Sequence, residues 1–173
     1  LLCLLREDVR GKVIRIPSRT YMSVPCSILQ AGGKVEFMPV VGTHLTGAYR
    51  LEPTRIVDSA LRFTAGMYRP GELQCISFTG PFKHLKLGKG GAILLDDAED
   101  VAWLRRMRFS GRREISYHID QFDMVGYNFW LLPELAARGL HMMTQFYALD
   151  GTPLDNADLC LPYPDLSEHP AYA

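Results

Sequence analysis

What this sequence has little of narrows it first. Its 19 basic and 19 acidic residues cancel, which leaves no excess positive charge for a nucleic acid or a membrane surface. No apolar stretch approaches the length of about 18 residues that a bilayer-spanning helix needs. Cys3, Cys26, Cys75 and Cys160 are scattered, with no C-x-x-C pair and no disulfide-like framework, and read as reduced thiols of a cytoplasmic protein. The five histidines show no zinc spacing, so no metal site is expected. Internal repeats, low-complexity tracts and a clear second domain are all missing. The opening Leu1-Leu2-Cys3-Leu4-Leu5 is too short and wrongly flanked for a secretory signal. It does not begin with Met and reads as the tail of a helix that starts upstream, in a piece of a longer protein. What remains is a 173-residue chain, 47% hydrophobic, able to bury one core.

Within that frame one lysine stands out. Lys83 lies in Ser77-Phe78-Thr79-Gly80-Pro81-Phe82-Lys83-His84-Leu85-Lys86-Leu87-Gly88-Lys89-Gly90-Gly91, with apolar residues on either side. A lysine in a Gly-rich loop is by default a solvated group. A nucleotide-binding P-loop fails here, because Lys83 occupies the position of its first Gly and Lys89 is followed by Gly90 rather than Ser or Thr. Upstream, Arg55-Ile56-Val57-Asp58-Ser59-Ala60 reads as a buried strand that delivers a carboxylate to its carboxyl end. A second strand, from Gln74 to Phe78, separates Asp58 from Lys83, some twenty-five residues on.

The remaining pattern is alternating strands and helices. Residues 11–17 and 34–41 read as strands, with a helix over 20–31 that stops at Gly32-Gly33. Residues 42–50 read as a turn-rich connection. Residues 92–95 form a strand, after which Asp96-Asp97 caps a helix carrying Val101, Leu104, Met107 and Arg108. Arg105, Arg106, Arg108, Arg112 and Arg113 read as a solvated face and loop. A last helix shows Leu132, Leu135, Ala136, Leu140, Met143 and Tyr147 on one apolar side and is expected to pack. Residues from 150 onward read as loop and tail.

Four segments together resemble the DegT/DnrJ/EryC1/StrS family of sugar aminotransferases that use pyridoxal 5'-phosphate (PLP). The Lys83 stretch is similar to the family's S-F-x-x-x-K-x-L-x-x-G-E-G-G, with one extra residue before the lysine and Lys89 in place of Glu. Asp58-Ser59-Ala60 is similar to its D-x-A, and Ile16-Pro17-Ser18-Arg19-Thr20-Tyr21 to its V-x-x-P-x-x-T-[FWY]. Gly126-Tyr127-Asn128-Phe129-Trp130 is similar to G-Y-N-x-R, with Trp130 replacing Arg. Where the family has Gln three residues after the Asp, this chain has Leu61 followed by Arg62.

The resemblance implies an α/β fold, the fold-type I large domain of aspartate aminotransferase-like enzymes, with a mostly parallel sheet flanked by helices and in truncated form. It implies an abbreviated PLP-binding domain over 1–149 and a remnant of the small domain over 150–173. It also implies transamination of a nucleotide-linked keto-sugar with glutamate as donor. Lys83 would carry the cofactor in imine linkage, Asp58 would face the ring nitrogen, Tyr21 would stack on the ring, and Ser77 would reach the phosphate. Asn128 would act in trans across a homodimer with shared sites. The competing expectation is a degenerate, non-catalytic member kept as a binding or dimerisation scaffold, since the stretch before Asp58 is shortened and the family's phosphate-binding turn is lacking from this sequence.

Overall fold

The computed structural model describes residues 1–146 and 157–172. In chain order the elements are helix α1 (Leu2–Arg6), strand β1 (Val13–Pro17), helix α2 (Ser23–Gln30), and strands β2 (Lys34–Met38), β3 (His44–Arg50), β4 (Ile56–Leu61), β5 (Leu73–Ser77) and β6 (Gly91–Leu94). Helix α3 (Ala98–Arg108), a 3-10 turn (Tyr117–Ile119), helix α4 (Pro133–Phe146) and strand β7 (Cys160–Pro162) complete it. No helix among the described residues is long and apolar enough to cross a membrane.

β1 and β2 form a two-stranded parallel sheet, and a second sheet runs β6-β5-β4-β3-β7. β1 is tied to the larger sheet's neighbourhood by reciprocal backbone bonds between Arg15 and Glu52, 2.8 and 3.1 Å. The α/β class therefore holds, but the large sheet is mixed rather than mostly parallel. Only β4 and β5 run parallel in it, while β6, β3 and β7 are antiparallel to their neighbours. The 62–72 segment is long enough for the crossover that the parallel β4–β5 pair needs, and the short 51–55 link between β3 and β4 suits an antiparallel return.

The core joins α1, β1, α2, β4 and β5 through Leu4, Val9, Ile14, Ile16, Ile28, Ile56 and Leu73, all at 4% exposure or less. α3 is held at its start by Asp97, whose carboxylate accepts from the Asp100 N–H at 2.8 Å. Asp100 is buried, and Arg6 and Arg55 reach it at 2.5 and 2.9 Å, joining α1 and the start of β4 to α3. Burial alone would push its carboxyl up; the two guanidinium partners overcome that and hold it below the ordinary carboxylate value.

Two segments differ from the expectation. Residues 42–50 contain β3 instead of a connection, and the tail contributes β7, which pairs His44 with Pro162 and Thr46 with Cys160. Pro162 is tolerated because β7 is a three-residue edge strand with no further neighbour to bond. α4 is also less covered than its pattern suggests. Gly139 faces the buried Leu87, while Leu132 and Leu140 on the apolar side are 52% and 71% exposed. Tyr147 lies outside the described residues. The basic residues near α3 are largely engaged: Arg106 and Arg113 pair with Asp123, Arg113 also with Asp120, and Arg108 lies 3.7 Å from Glu114.

Candidate active site

Because β4 and β5 are adjacent and parallel, their carboxyl ends open on the same side, and the segments that follow them meet there. Asp58 on β4 and Lys83 in the loop after β5 line one cavity of about 580 Å³. Its other walls come from Tyr21 and Ser27 near α2, Leu45 and Tyr49 on β3, Ile76 and Ser77 on β5, and Leu161 and Tyr163 from the tail.

The loop that carries Lys83 is anchored at both ends. Phe78 and Gly90 are joined by a 2.9 Å backbone bond, Gly88 donates back to Phe78 at 3.1 Å, and Leu85 and Leu87 are buried beneath. Gly91 is required at the loop's return, since a Cβ there would lie 2.3 Å from the Ile76 carbonyl. Lys83 Nζ donates to the Ala60 carbonyl at 2.8 Å and is partly buried, whereas Lys86 and Lys89 are exposed. Burial lowers the amine's pKa, with the Asp58 charge pulling it back up. A lysine shifted this way is easier to hold neutral, as a nucleophile requires.

Asp58 accepts from the Ala60 N–H through Oδ1 at 2.9 Å and from the Tyr49 hydroxyl through Oδ2 at 2.8 Å. Its carboxyl is pushed up by burial, against the Ala60 and Tyr49 bonds and the Lys83 charge. Tyr21 is 56% exposed and meets Tyr163 edge to face at 6.4 Å. Ser77 lines the cavity, and its Oγ accepts from the Thr79 N–H at 3.3 Å, a local turn that any strand-end Ser can make.

Four of the residues singled out in the sequence, Tyr21, Asp58, Ser77 and Lys83, therefore share one cavity. Asn128 does not join them. It is exposed and lies beside the C-terminal end of α3, where it bridges to Phe109 and Phe129 donates to Arg108 at 2.8 Å. Gly126 in the same segment meets a steric need, since a Cβ there would stand 2.2 Å from the Gly111 nitrogen.

Tyr49, Leu161 and Tyr163 were not legible as site residues. Tyr49 sits in the stretch that reads as a connection, and the other two sit in the apparent tail. Their segment is strapped down by Arg62, which binds Asp158 in two-pronged fashion at 2.8 and 2.6 Å, by Leu159 N–H to the Leu61 carbonyl at 2.8 Å, and by Arg19 to the Tyr163 carbonyl at 2.9 Å. Arg62, next to Leu61 where the family has Gln, was the available signal.

Comparison with known proteins places these features in context. The sequence profile of the DegT/DnrJ/EryC1/StrS aminotransferase family matches residues 65–154, just over half of the chain, a span that includes Lys83 and Asn128 but not Asp58. No curated protein sequence matches. Among solved structures, the chain is similar to the sugar aminotransferase CalS13 from Micromonospora echinospora, with 20% identity, 83% of this chain and 52% of that one covered, and a TM-score of 0.63. It is also similar to DesV of S. venezuelae, solved with a ketimine intermediate, at 20% identity, 83% and 48% coverage and a TM-score of 0.62. Helicobacter pylori PseC, an aminotransferase involved in the biosynthesis of pseudoaminic acid, matches at 14% identity with 83% and 50% coverage and a TM-score of 0.59. The chain thus spans about half the length of the solved structures it matches, and at these identities the likeness speaks to the fold.

Proposed function

The chain belongs to the DegT/DnrJ/EryC1/StrS aminotransferase family, and from that premise we propose that its cavity binds PLP on Lys83 and serves aminotransfer from glutamate to a nucleotide-linked keto-sugar in the cytoplasm. The single observation that carries this reading is one cavity holding a partly buried amine and a carboxylate, Lys83 in the loop after β5 and Asp58 within the adjacent strand β4 rather than at its end.

The residues present fit the cofactor. A flat heteroaromatic ring needs apolar walls, an anion at its ring nitrogen, an amine for its aldehyde and polar groups for its phosphate. Leu45, Leu61, Ile76 and Leu161 supply the first, Asp58 the second and Lys83 the third, while Ser77, Thr79 and Gly80 border the cavity as phosphate donors. The chemistry supplied by the bound group is an electron sink, a protonated pyridine ring that accepts the charge left when a proton leaves the substrate's α-carbon.

The chain's own groups do the rest. Asp58 holds the proton on the ring nitrogen. Lys83 Nζ, once neutral, is the base that carries the substrate proton. Tyr21 would stack on the ring, with Tyr163 packed edge to face against Tyr21. We read residues 1–149 as the abbreviated large domain and 150–173 as the remnant of the small domain, from which Leu161 and Tyr163 line the cavity. Asn128, exposed and remote from its own cavity, suits a role at a second copy's site in a homodimer.

Incubation with PLP, borohydride reduction and peptide mapping tests this. The expected result is a visible absorption band and a pyridoxyl group on Lys83 alone. An adduct on Lys86 or Lys89 would overturn the assignment, and no band at all would favour the non-catalytic scaffold.

A further inference from the structure

Both oxygens of Asp58 are taken up by donors, and one of those donors is itself held. Tyr49 faces Asp58 across the β3–β4 pair as its register partner, so the 2.8 Å contact follows from the sheet and not from a flexible side chain. The Tyr49 oxygen lies 2.6 Å from Thr20 Oγ1, and Thr20 is 1% exposed in the turn before α2. An ionised carboxylate can only accept. The Tyr49 proton therefore points at Asp58, and the Thr20 hydroxyl must donate to Tyr49. Three groups from three separate segments form a directed chain that ends on the carboxylate.

We propose that Tyr49, backed by Thr20, is a positioning residue that keeps Asp58 ionised and oriented into the cavity, so that Asp58 can hold a proton on the ring nitrogen of PLP. This rests on the functional reading above. The need is physical. A carboxylate out of water tends toward its neutral form, and a neutral Asp58 would leave the ring nitrogen bare. The other titratable groups facing Asp58 do not meet that need: Cys75 on β5 and Tyr163 after β7 offer no positive charge, and Lys83 loses its charge when its nitrogen is neutral for reaction. At that moment Tyr49 is the side-chain donor that remains, beside the fixed Ala60 N–H.

The test uses the full chain carrying carboxyl-¹³C aspartate, with Asp58→Asn to assign the signal. In the PLP-free protein, Tyr49→Phe is expected to raise the Asp58 titration by about one pH unit or more, the size of losing a hydrogen bond to an ionised group. Thr20→Val is expected to move it less and in the same direction, and it carries the test alone if Tyr49→Phe does not fold. With PLP labelled at its ring nitrogen by ¹⁵N, the Tyr49→Phe signal is expected to move toward the unprotonated position while the visible band persists. An unmoved Asp58 titration, or an unmoved ring-nitrogen signal in a variant whose Asp58 has moved, overturns the role of Tyr49. A wild-type chain that forms no band with PLP overturns the functional reading, and Tyr49's part in it, on a separate measurement.

Discussion

Lys83 owes its usefulness to where the chain puts it, a nitrogen partly out of water with one carbonyl to hold it and one carboxylate across the cavity. Asp58 is the complementary case, an anion kept by hydrogen bonds against the pull of burial. Replacing Asp58 with Asn should leave PLP attached to Lys83 and lower turnover by roughly 10²-fold or more, the usual cost of removing a fixed electrostatic partner. Absorbance measured beside steady-state rates checks this, and undiminished turnover would show that another carboxylate faces the ring. Asp58 was legible because it follows a β-branched run, and Lys83 because its Gly-rich segment resembles the family's lysine stretch. Tyr49 and Tyr163 carry no such pattern. An aromatic residue between short polar ones looks the same whether it faces a cavity or solvent, and only the sheet register decides.

At the scale of elements, the helices and strands β1, β2, β4, β5 and β6 were readable from the residue pattern, while β3 and β7 were not. β3 carries Gly47 at φ +69, where the ladder with β4 shifts register, and this bulge interrupts alternation. A Cβ at Gly47 would sit 2.4 Å from the Asp158 carboxylate, so the glycine that hides the strand is also what lets the Arg62–Asp158 clamp close. The contact that joins α1, α3 and β4 allows a stability prediction. Asp100→Asn should cost about 2–4 kcal/mol, because it breaks a buried carboxylate's bonds to Arg6 and Arg55. Since the folded Asp100 value is depressed, the wild-type advantage is fully present above the unfolded value of about 3.9 and is lost as pH falls through the folded one. Urea unfolding of both proteins at pH 7 and near pH 3 checks it. A gap that stays constant with pH would mean the ion pairs are not its source.

For the whole molecule, several large apolar side chains between residues 115 and 140 are exposed. Ile119 is 69% exposed, Val125 93% and Phe129 55%, and Asn128 lies among them. Apolar area of that kind marks a contact surface. Sedimentation of the chain with PLP is expected to show a dimer, and a clean monomer that still holds PLP tightly would remove the trans role of Asn128. One further consequence follows from the cavity's composition, and it concerns time. Leu4, Asp58 and Lys83 line it together with Leu161 and Tyr163. At about 5–20 residues per second of synthesis, the roughly eighty residues from the lysine to the last wall take several seconds to emerge from the ribosome. Through that interval the wall that Leu161 and Tyr163 supply is missing, so on the proposed reading cofactor capture would await their docking and its colour would report it.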